Sequence, residues 1–553
     1  MHTIADTPMN YIRAEADSAL AGITSRREFL TRATALGVSV PAAYSMLGLP
    51  ALAETEPRLQ RGGILRLQNE VLGLRDPRTF DRMPMANLTR GWLEYLVEYA
   101  ADGSFRPMLL EAWEVNADAT RYTLRVRPDV TWNNGDPFTA GDVALNIARW
   151  CDTGFEGNVL SNALGSIVDS ETGQLRAGAV EVLDKLTLVV RPARSDITLI
   201  PTFSQYQAGV VHRSYGGGNP AEVPIGTGPY LPTEIEVGIR AVLERNTEHD
   251  WWGYETIGGA WLDRIEFLDY GTDPVSFVAA AEADEIDMLE ETVGGFIEVM
   301  DTQLGWAKSQ AETAQTIVIR ANQMAEVDGQ QPYSDVRVRR ALARAIDPQV
   351  CLELGYNGLG TLGENHHVSR LHPEYADIGP AVYDPVEAAR LMAEAGMSEF
   401  THELVSIDDD WRRLTCDAAA AQWRDAGFKV ERSIIPGATF WNNWTDYPLS
   451  ATNWSARPLG VQVLALAYKS GVPWNESGFS NARFDALLDQ AVTTSDAEQR
   501  RQVMAEIQQI LVDEGVIIQP YWRSLVRHHK EDLVNAEPHP TGEVQIYRIG
   551  YRA

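Results

Sequence analysis

Pro332-Tyr333-Ser334-Asp335-Val336-Arg337-Val338-Arg339-Arg340-Ala341-Leu342-Ala343-Arg344-Ala345-Ile346-Asp347 decides the fold class. Ser334 or Asp335 stands where a helix cap is needed, and Val338, Ala341, Leu342, Ala345 and Ile346 follow at i, i+3, i+4, i+7 and i+8. That spacing makes one buried face, with Arg337, Arg340 and Arg344 on another. Asp347-Pro348 stops the helix. Going outward, a strand is expected at Thr316 to Arg320 on the N-terminal side. On the C-terminal side Asp384-Pro385-Val386-Glu387 supplies a cap, an N1 proline and an N3 glutamate for a second helix closed by Gly396. A helix over Leu414 to Ala426 ends at Gly427 and leads into a strand at Lys429 to Ile435. Two further helices bury Phe484, Leu487, Leu488 and Ala491, then Val503, Ile507, Ile510 and Leu511. The second of these starts from a Ser495 to Glu498 capping box and ends at Gly515, before a final strand over Val516 to Trp522. Strands alternating with helices in this way predict an α/β architecture.

The N-terminal half is less regular. Strands are expected at Leu109 to Trp113, Tyr122 to Val126, Leu186 to Val190, Ala241 to Arg245 and Arg264 to Tyr270, with helices over Gly141 to Trp150 and Val275 to Ala283. Thr139 and Asp142 form a capping box after the turn Trp132-Asn133-Asn134-Gly135-Asp136, which reads as architecture. Pro224-Ile225-Gly226-Thr227-Gly228-Pro229-Tyr230 lacks the Lys-Ser/Thr ending of a phosphate loop and reads as a connector. At the start, Ser25-Arg26-Arg27-Glu28-Phe29-Leu30 precedes a weakly apolar run from Ala33 to Leu49 and the small residues of Ala51-Leu52-Ala53. This resembles a twin-arginine export signal cleaved after Ala53, leaving a soluble periplasmic protein. The run falls short of the roughly 20 apolar residues needed to span a membrane.

A chain of 553 residues exceeds one core and predicts two or three lobes. Its net charge of -30 argues against nucleic acid and anionic membrane surfaces as partners. Cys151, Cys351 and Cys416 form no C-x-x-C pair, so neither a zinc site nor a disulfide scaffold is indicated, and all three are expected as unpaired buried residues.

Phe440 to Pro458 gathers Trp441, Trp444, Trp454, Tyr447, Asn442, Asn443, Asn453 and Arg457 in a segment with neither helical nor strand periodicity. Rigid aromatic faces beside directed polar groups suit a pocket for a small polar molecule. The alternative is an irregular loop whose aromatics are core. His528-His529 beside Lys530 reads as surface.

Several ordered stretches resemble the large extracellular solute-binding proteins (family 5) of ABC importers, which include dipeptide, oligopeptide and nickel binders. They are L-E-Y-L-V-E-Y-A-A-D-G (93–103), T-W-N-N-G-D-P-F-T-A-G-D-V (131–143), P-I-G-T-G-P-Y (224–230), E-I-D-M (285–288), the opening segment 332–347, Y-D-P-V-E-A-A-R-L-M-A-E-A-G (383–396) and G-F-S-N-A-R-F-D-A-L-L-D-Q-A (478–491). The resemblance implies the two-lobed periplasmic binding protein fold of the large, cluster C type. It places a signal at 1–53, lobe I over 54–82, 223–316 and 522–553, an inserted domain over 83–222, and lobe II over 317–521. It further implies a monomer that encloses a small organic solute, peptide-like or opine-like, by lobe closure and docks on a membrane permease, with no cofactor, no resident metal and no catalytic residue. Phe440 to Pro458 then becomes a cleft wall, with Trp441, Trp444, Asn453, Trp454 and Arg457 as ligand-binding candidates. Arg457 falls where peptide binders carry an aspartate for the peptide ammonium. A guanidinium there would take a carboxylate or phosphate; alternatively it pairs with Asp446. Glu364-Asn365-His366-His367, with Arg370 and His372, adds His366 and His367 as further ligand candidates, either for a metal complex or as hydrogen-bonded loop histidines. An exported hydrolase or a periplasmic sensor module remains the alternative, although neither H-E-x-x-H nor G-x-S-x-G occurs.

Overall fold

The computed structural model describes residues 7–22, 24–49, 58–116, 118–494 and 497–553. The small residues Ala51-Leu52-Ala53 and the cap Ser495 lie outside these. The opening segment forms helix Val336–Arg344, with Asp335 accepting from the Arg337 N–H, and Asp347 caps the next helix, Pro348–Tyr356. Val338, Ala341, Leu342, Ala345 and Ile346 are buried in one core with Leu404, Trp411 and Trp423.

An 11-stranded sheet runs through the whole molecule. Its two central strands are Trp306–Ala321 and Tyr521–Lys530, which pair antiparallel along most of their length. On one side lie Met288–Leu289, Ile64–Gln68, Arg264–Leu268, Arg240–Arg245 and Tyr230–Glu236; on the other lie Leu449–Trp454, Thr401–Ile407 and Lys429–Ile435, while the eleventh strand, Gly360–Leu362, pairs with the start of Tyr521–Lys530. The sheet therefore has two halves joined by two crossing strands, with separate apolar cores to either side. A four-stranded sheet of Leu110–Val115, Tyr122–Val126, Thr187–Val190 and Val180–Val182 attaches to the first half through a shared core.

The expected strand at Val516 to Trp522 is displaced. Ile518 makes one isolated bridge to Ile319, and the ladder begins at Tyr521, because Pro520 interrupts the run with no N–H to donate. The same strand corrects the surface reading of His528 and His529, whose side chains it buries. His528 Nδ1 is 2.9 Å from Thr292 Oγ1 and its Nε2 is 2.9 Å from Asp301 Oδ1.

Two motifs prove to be one packing device. The Asn133 N–H donates to Gly226 O at 2.9 Å, and the Gly228 N–H donates to Trp92 O at 3.0 Å. A Cβ at Gly226 would stand 1.9 Å from Trp92 O, so only glycine permits this approach. The cysteines are all buried and unpaired, as expected. The N-terminal segment forms helices Thr7–Leu20, Arg26–Ala35 and Val40–Met46, and Trp113 Nε1 donates to Thr34 O at 3.1 Å. No helix among the described residues is long and apolar enough to cross a membrane.

Candidate functional site

A cavity of about 220 Å³ opens between the two halves of the sheet. The second half contributes Trp411, Arg412, Trp441, Trp444, Asn453, Trp454, Arg457 and Trp474 to its wall, and the first half contributes Glu70, Arg82, Tyr206 and Glu290. Arg523 and Arg527, on the crossing strand, complete it.

Strand Leu449–Trp454 pairs with Trp306–Ala321 in the register Trp454 to Thr316, which brings Trp454 to the cavity edge. Its indole N–H donates to Glu476 Oε1 at 2.9 Å; the same carboxylate accepts from Thr452 Oγ1 at 2.6 Å and from Arg320 Nε at 2.9 Å. Arg320 also donates to the carbonyls of Tyr447 and Trp444. One buried ion pair thus ties together the strand and the loop that carry the aromatic wall. Trp454 packs edge-on against Trp474 with centroids 5.9 Å apart, and Trp444 lies 6.2 Å from each of Trp454, Trp474 and Trp441. The segment is both site and core: Phe440 is fully buried and stacks on Tyr447, while Asn442 and Asn443 are exposed.

Arg457 is 6% exposed and sits over the Tyr206 ring at 4.8 Å, a cation–π contact across the cleft. Arg82 over Trp441 at 4.9 Å is a second. Arg457 does not pair with Asp446, which is exposed and accepts from Thr445 Oγ1 at 3.3 Å. Its Nη1 reaches Ala456 O at 3.4 Å, and its Nε is buried with no acceptor among the described residues. The other arginines of the wall are committed: Arg82 to Glu70, Arg412 to Asp409, Arg523 to Glu291, and Arg527 to the carbonyls of Glu290, Ala536 and Glu537. Asn453 Oδ1 and Trp441 Nε1 are likewise buried without partners. Burial pushes Arg523 down to about 9 and Arg527 to about 10.

His366 and His367 stand behind this wall and not in it. His366 Nε2 lies 3.2 Å from Glu364 Oε2, and His367 Nδ1 is 2.5 Å from the Tyr468 hydroxyl. The His367 ring meets Trp454 edge-on at 5.5 Å. His372 Nε2–H donates to the Arg457 carbonyl at 3.1 Å while its Nδ1 accepts from the Ser369 N–H at 2.9 Å, which fixes the neutral tautomer. Burial holds His367 well below the usual imidazole range and His372 at about 3. No group of three metal-capable side chains occurs among the described residues. His367 and His372 thus back Trp454 and Arg457, whereas His366 bonds to Glu364 and Gln508.

Sequence reasoning missed Tyr206, Glu290, Trp411, Arg412, Trp474, Glu476, Arg523 and Arg527. A signal was present for Glu290-Glu291, two acids directly following a short apolar strand, where open sheets place their sites. Trp474, in Pro473-Trp474-Asn475-Glu476, carries the same aromatic-plus-polar signature as Phe440 to Pro458.

The model of the bacterial extracellular solute-binding proteins, family 5, matches residues 104–476, more than half of the chain. Heme-binding protein A of Haemophilus influenzae is 23% identical over 442 residues, covering 75% of this chain and 79% of that protein. The murein tripeptide binding protein MppA of Escherichia coli superposes with a TM-score of 0.78 at 19% identity, over 90% of this chain and 100% of its own. AgaA of A. tumefaciens R10, solved with agropinic acid, gives 0.76 at 19% identity over 89% of this chain and 99% of its own.

Proposed function

For a chain that belongs to the bacterial extracellular solute-binding proteins of family 5, we propose the role of periplasmic substrate-binding protein of an ABC importer, acting as a monomer that captures a small organic solute bearing an anionic group. Arg457 carries this reading: it is a buried guanidinium on the cavity wall with no acidic partner among the described residues, beside a wall of tryptophans. An ionised guanidinium out of water is costly unless paired, and a carboxylate or phosphate would supply the missing acceptors in a charge-assisted bond. The names of the relatives support small organic ligands in general, a murein tripeptide and agropinic acid among them. Export runs through the Ser25-Arg26-Arg27-Glu28-Phe29-Leu30 signal. Lobe I comprises 54–82, 223–316 and 522–553, lobe II comprises 317–521, and 83–222 is inserted in the first lobe. Ligand stabilises the closed form only by contacts that both lobes make at once, and that form docks on the permease.

The test starts from protein purified out of the periplasm. Mass spectrometry of what heat denaturation releases is expected to show one anionic solute, chemically unchanged. Calorimetry of that solute with Arg457→Ala is expected to show affinity weaker by about 10- to 100-fold, from a charge-assisted bond worth ~1.5–3 kcal/mol. Unchanged affinity would reject the anion-binding role. A solute hydrolysed on standing would make the protein an enzyme, and intact uptake in a deletion strain would make it a sensor.

A further inference from the structure

The cavity wall carries a second uncommitted charge of the opposite sign. Glu290 follows the short strand Met288–Leu289 at the end of the first half, and its carboxylate has neither an ion pair nor a side-chain hydrogen bond among the described residues. Its backbone is fully used: the N–H donates to Gln68 Oε1 at 3.3 Å, and the carbonyl accepts from Arg527 Nε at 3.0 Å. The cations around it are engaged elsewhere, Arg82 with Glu70, Arg523 with Glu291, and Arg527 with three carbonyls. Other acids of the wall have partners or local support. Asp81 pairs with Arg75, Asp409 with Arg412, and Asp410 sits in the first turn of helix Asp410–Asp425, where the helix dipole favours an anion.

We infer that Glu290 is the receptor for a cationic group of the ligand, and that the solute is amphoteric, its anion held at Arg457 and its ammonium or amidinium at Glu290. The inference rests on the anion-binding role given above to Arg457. The physical reason is that a carboxylate at the wall of a closing cleft loses water on closure, and a ligand cation is the group that offsets this loss. Two opposite, unpaired charges contributed by different halves would also make closure depend on a ligand long enough to reach both. Glu290 is pushed up to about 7 by burial and by the negative charge of Glu70. A cation bound there would favour the ionised form, so binding near pH 7 would release a fraction of a proton.

The experiment uses three charge-matched series whose amphoteric members carry their charges at opposite ends of chains of increasing length: 4-aminobutanoate, butanoate and propylamine; 6-aminohexanoate, hexanoate and pentylamine; 8-aminooctanoate, octanoate and heptylamine. Each is titrated calorimetrically into the purified protein at pH 7, in two buffers of different ionisation enthalpy. In at least one series the amphoteric member is expected to bind at least ten-fold tighter than both singly charged members, with proton release. Glu290→Gln, which preserves shape, is expected to abolish that advantage and the proton release while leaving binding of the anion unchanged. Equal affinity for anion and amphoteric member in every series, or an advantage that survives Glu290→Gln, would overturn the inference and leave the Arg457 reading standing. Failure of every anion and amphoteric member to bind would overturn both.

Discussion

Replacing Glu476 by alanine should damage the protein more than any change to the cavity wall itself. Its side chain is 3% exposed and takes three bonds, from Arg320 Nε, Thr452 Oγ1 and Trp454 Nε1. Alanine leaves the fully buried Arg320 guanidinium with only the carbonyls of Tyr447 and Trp444, and strands a hydroxyl and an indole N–H. Breaking one side of a buried ion pair costs ~3–5 kcal/mol. Each stranded neutral donor adds up to ~1–3 kcal/mol where water cannot enter. A loss of at least ~3 kcal/mol is therefore expected, against ~1–2 kcal/mol for Glu476→Gln, which keeps an oxygen for Thr452 and Trp454 but gives up the charge. Urea denaturation followed by tryptophan fluorescence measures both, with an unchanged m-value confirming that the native state has lost the energy. The double replacement Arg320→Met with Glu476→Met should cost less than Glu476→Ala alone, because it removes both charges together. A cost below ~1 kcal/mol for Glu476→Ala would refute the view that this pair anchors the aromatic wall.

Two further outcomes follow from buried groups away from the cavity. Burial holds His372 and His539 at about 3 and His402 at about 4, so all three stay neutral in the fold while they protonate near 6.5 in the unfolded chain. Their contribution is complete above about pH 6.5 and declines as pH falls toward 4, by up to ~1.4 kcal/mol per pH unit for each histidine. Urea midpoints measured from pH 7 to pH 4.5 should show His402→Gln with a shallower acid slope than the unsubstituted protein; superimposable slopes would contradict it. Gly226→Ala forces a methyl group against Trp92 O and should cost ~2 kcal/mol or more, as overpacking does, whereas Gly238→Ala, with open space around it, should cost under ~1.5 kcal/mol from its positive φ alone.

What the sequence made legible was local. Helix Val336–Arg344 could be read because its cap, apolar stripe and stop all lie within sixteen consecutive residues, and a helix needs nothing more to declare itself. The crossing strands could not be read in full. The half of Trp306–Ala321 from Trp306 to Glu312 alternates around Lys308, Gln310 and Glu312 with small residues between, and its partner starts only after Pro520. Strand pairing of this kind rewards long-range contact and leaves a weak local trace. The same contrast governs the site. Arg457 stood out against its aromatic neighbours and does line the cavity, but its state depends on Tyr206 and His372, remote in sequence. Glu364-Asn365-His366-His367 suggested metal ligands because its satisfying partners, Tyr468 and Gln508, are more than one hundred residues away.

The two halves meet across the cavity through cation–π contacts of Arg82 with Trp441 and Arg457 with Tyr206. Such contacts are worth ~0.5–2 kcal/mol each, enough to guide closure but not to command it. Moving a two-state equilibrium from 1:99 to 99:1 takes ~5.5 kcal/mol of differential binding. One charge-assisted hydrogen bond supplies ~1.5–3 kcal/mol, so an anion at Arg457 alone leaves closure incomplete. A second such bond at Glu290, contributed by the opposite half, brings the total to ~3–6 kcal/mol and spans the threshold. An aromatic or aliphatic body against Trp444, Trp454 and Trp474 would add affinity to the second half whether or not the cleft closes, and so cannot substitute for the missing charge. On this proposal selectivity would lie less in the tryptophans that first mark the cleft than in Arg457 and Glu290, two side chains of opposite sign that have no ion-pair partner among the described residues.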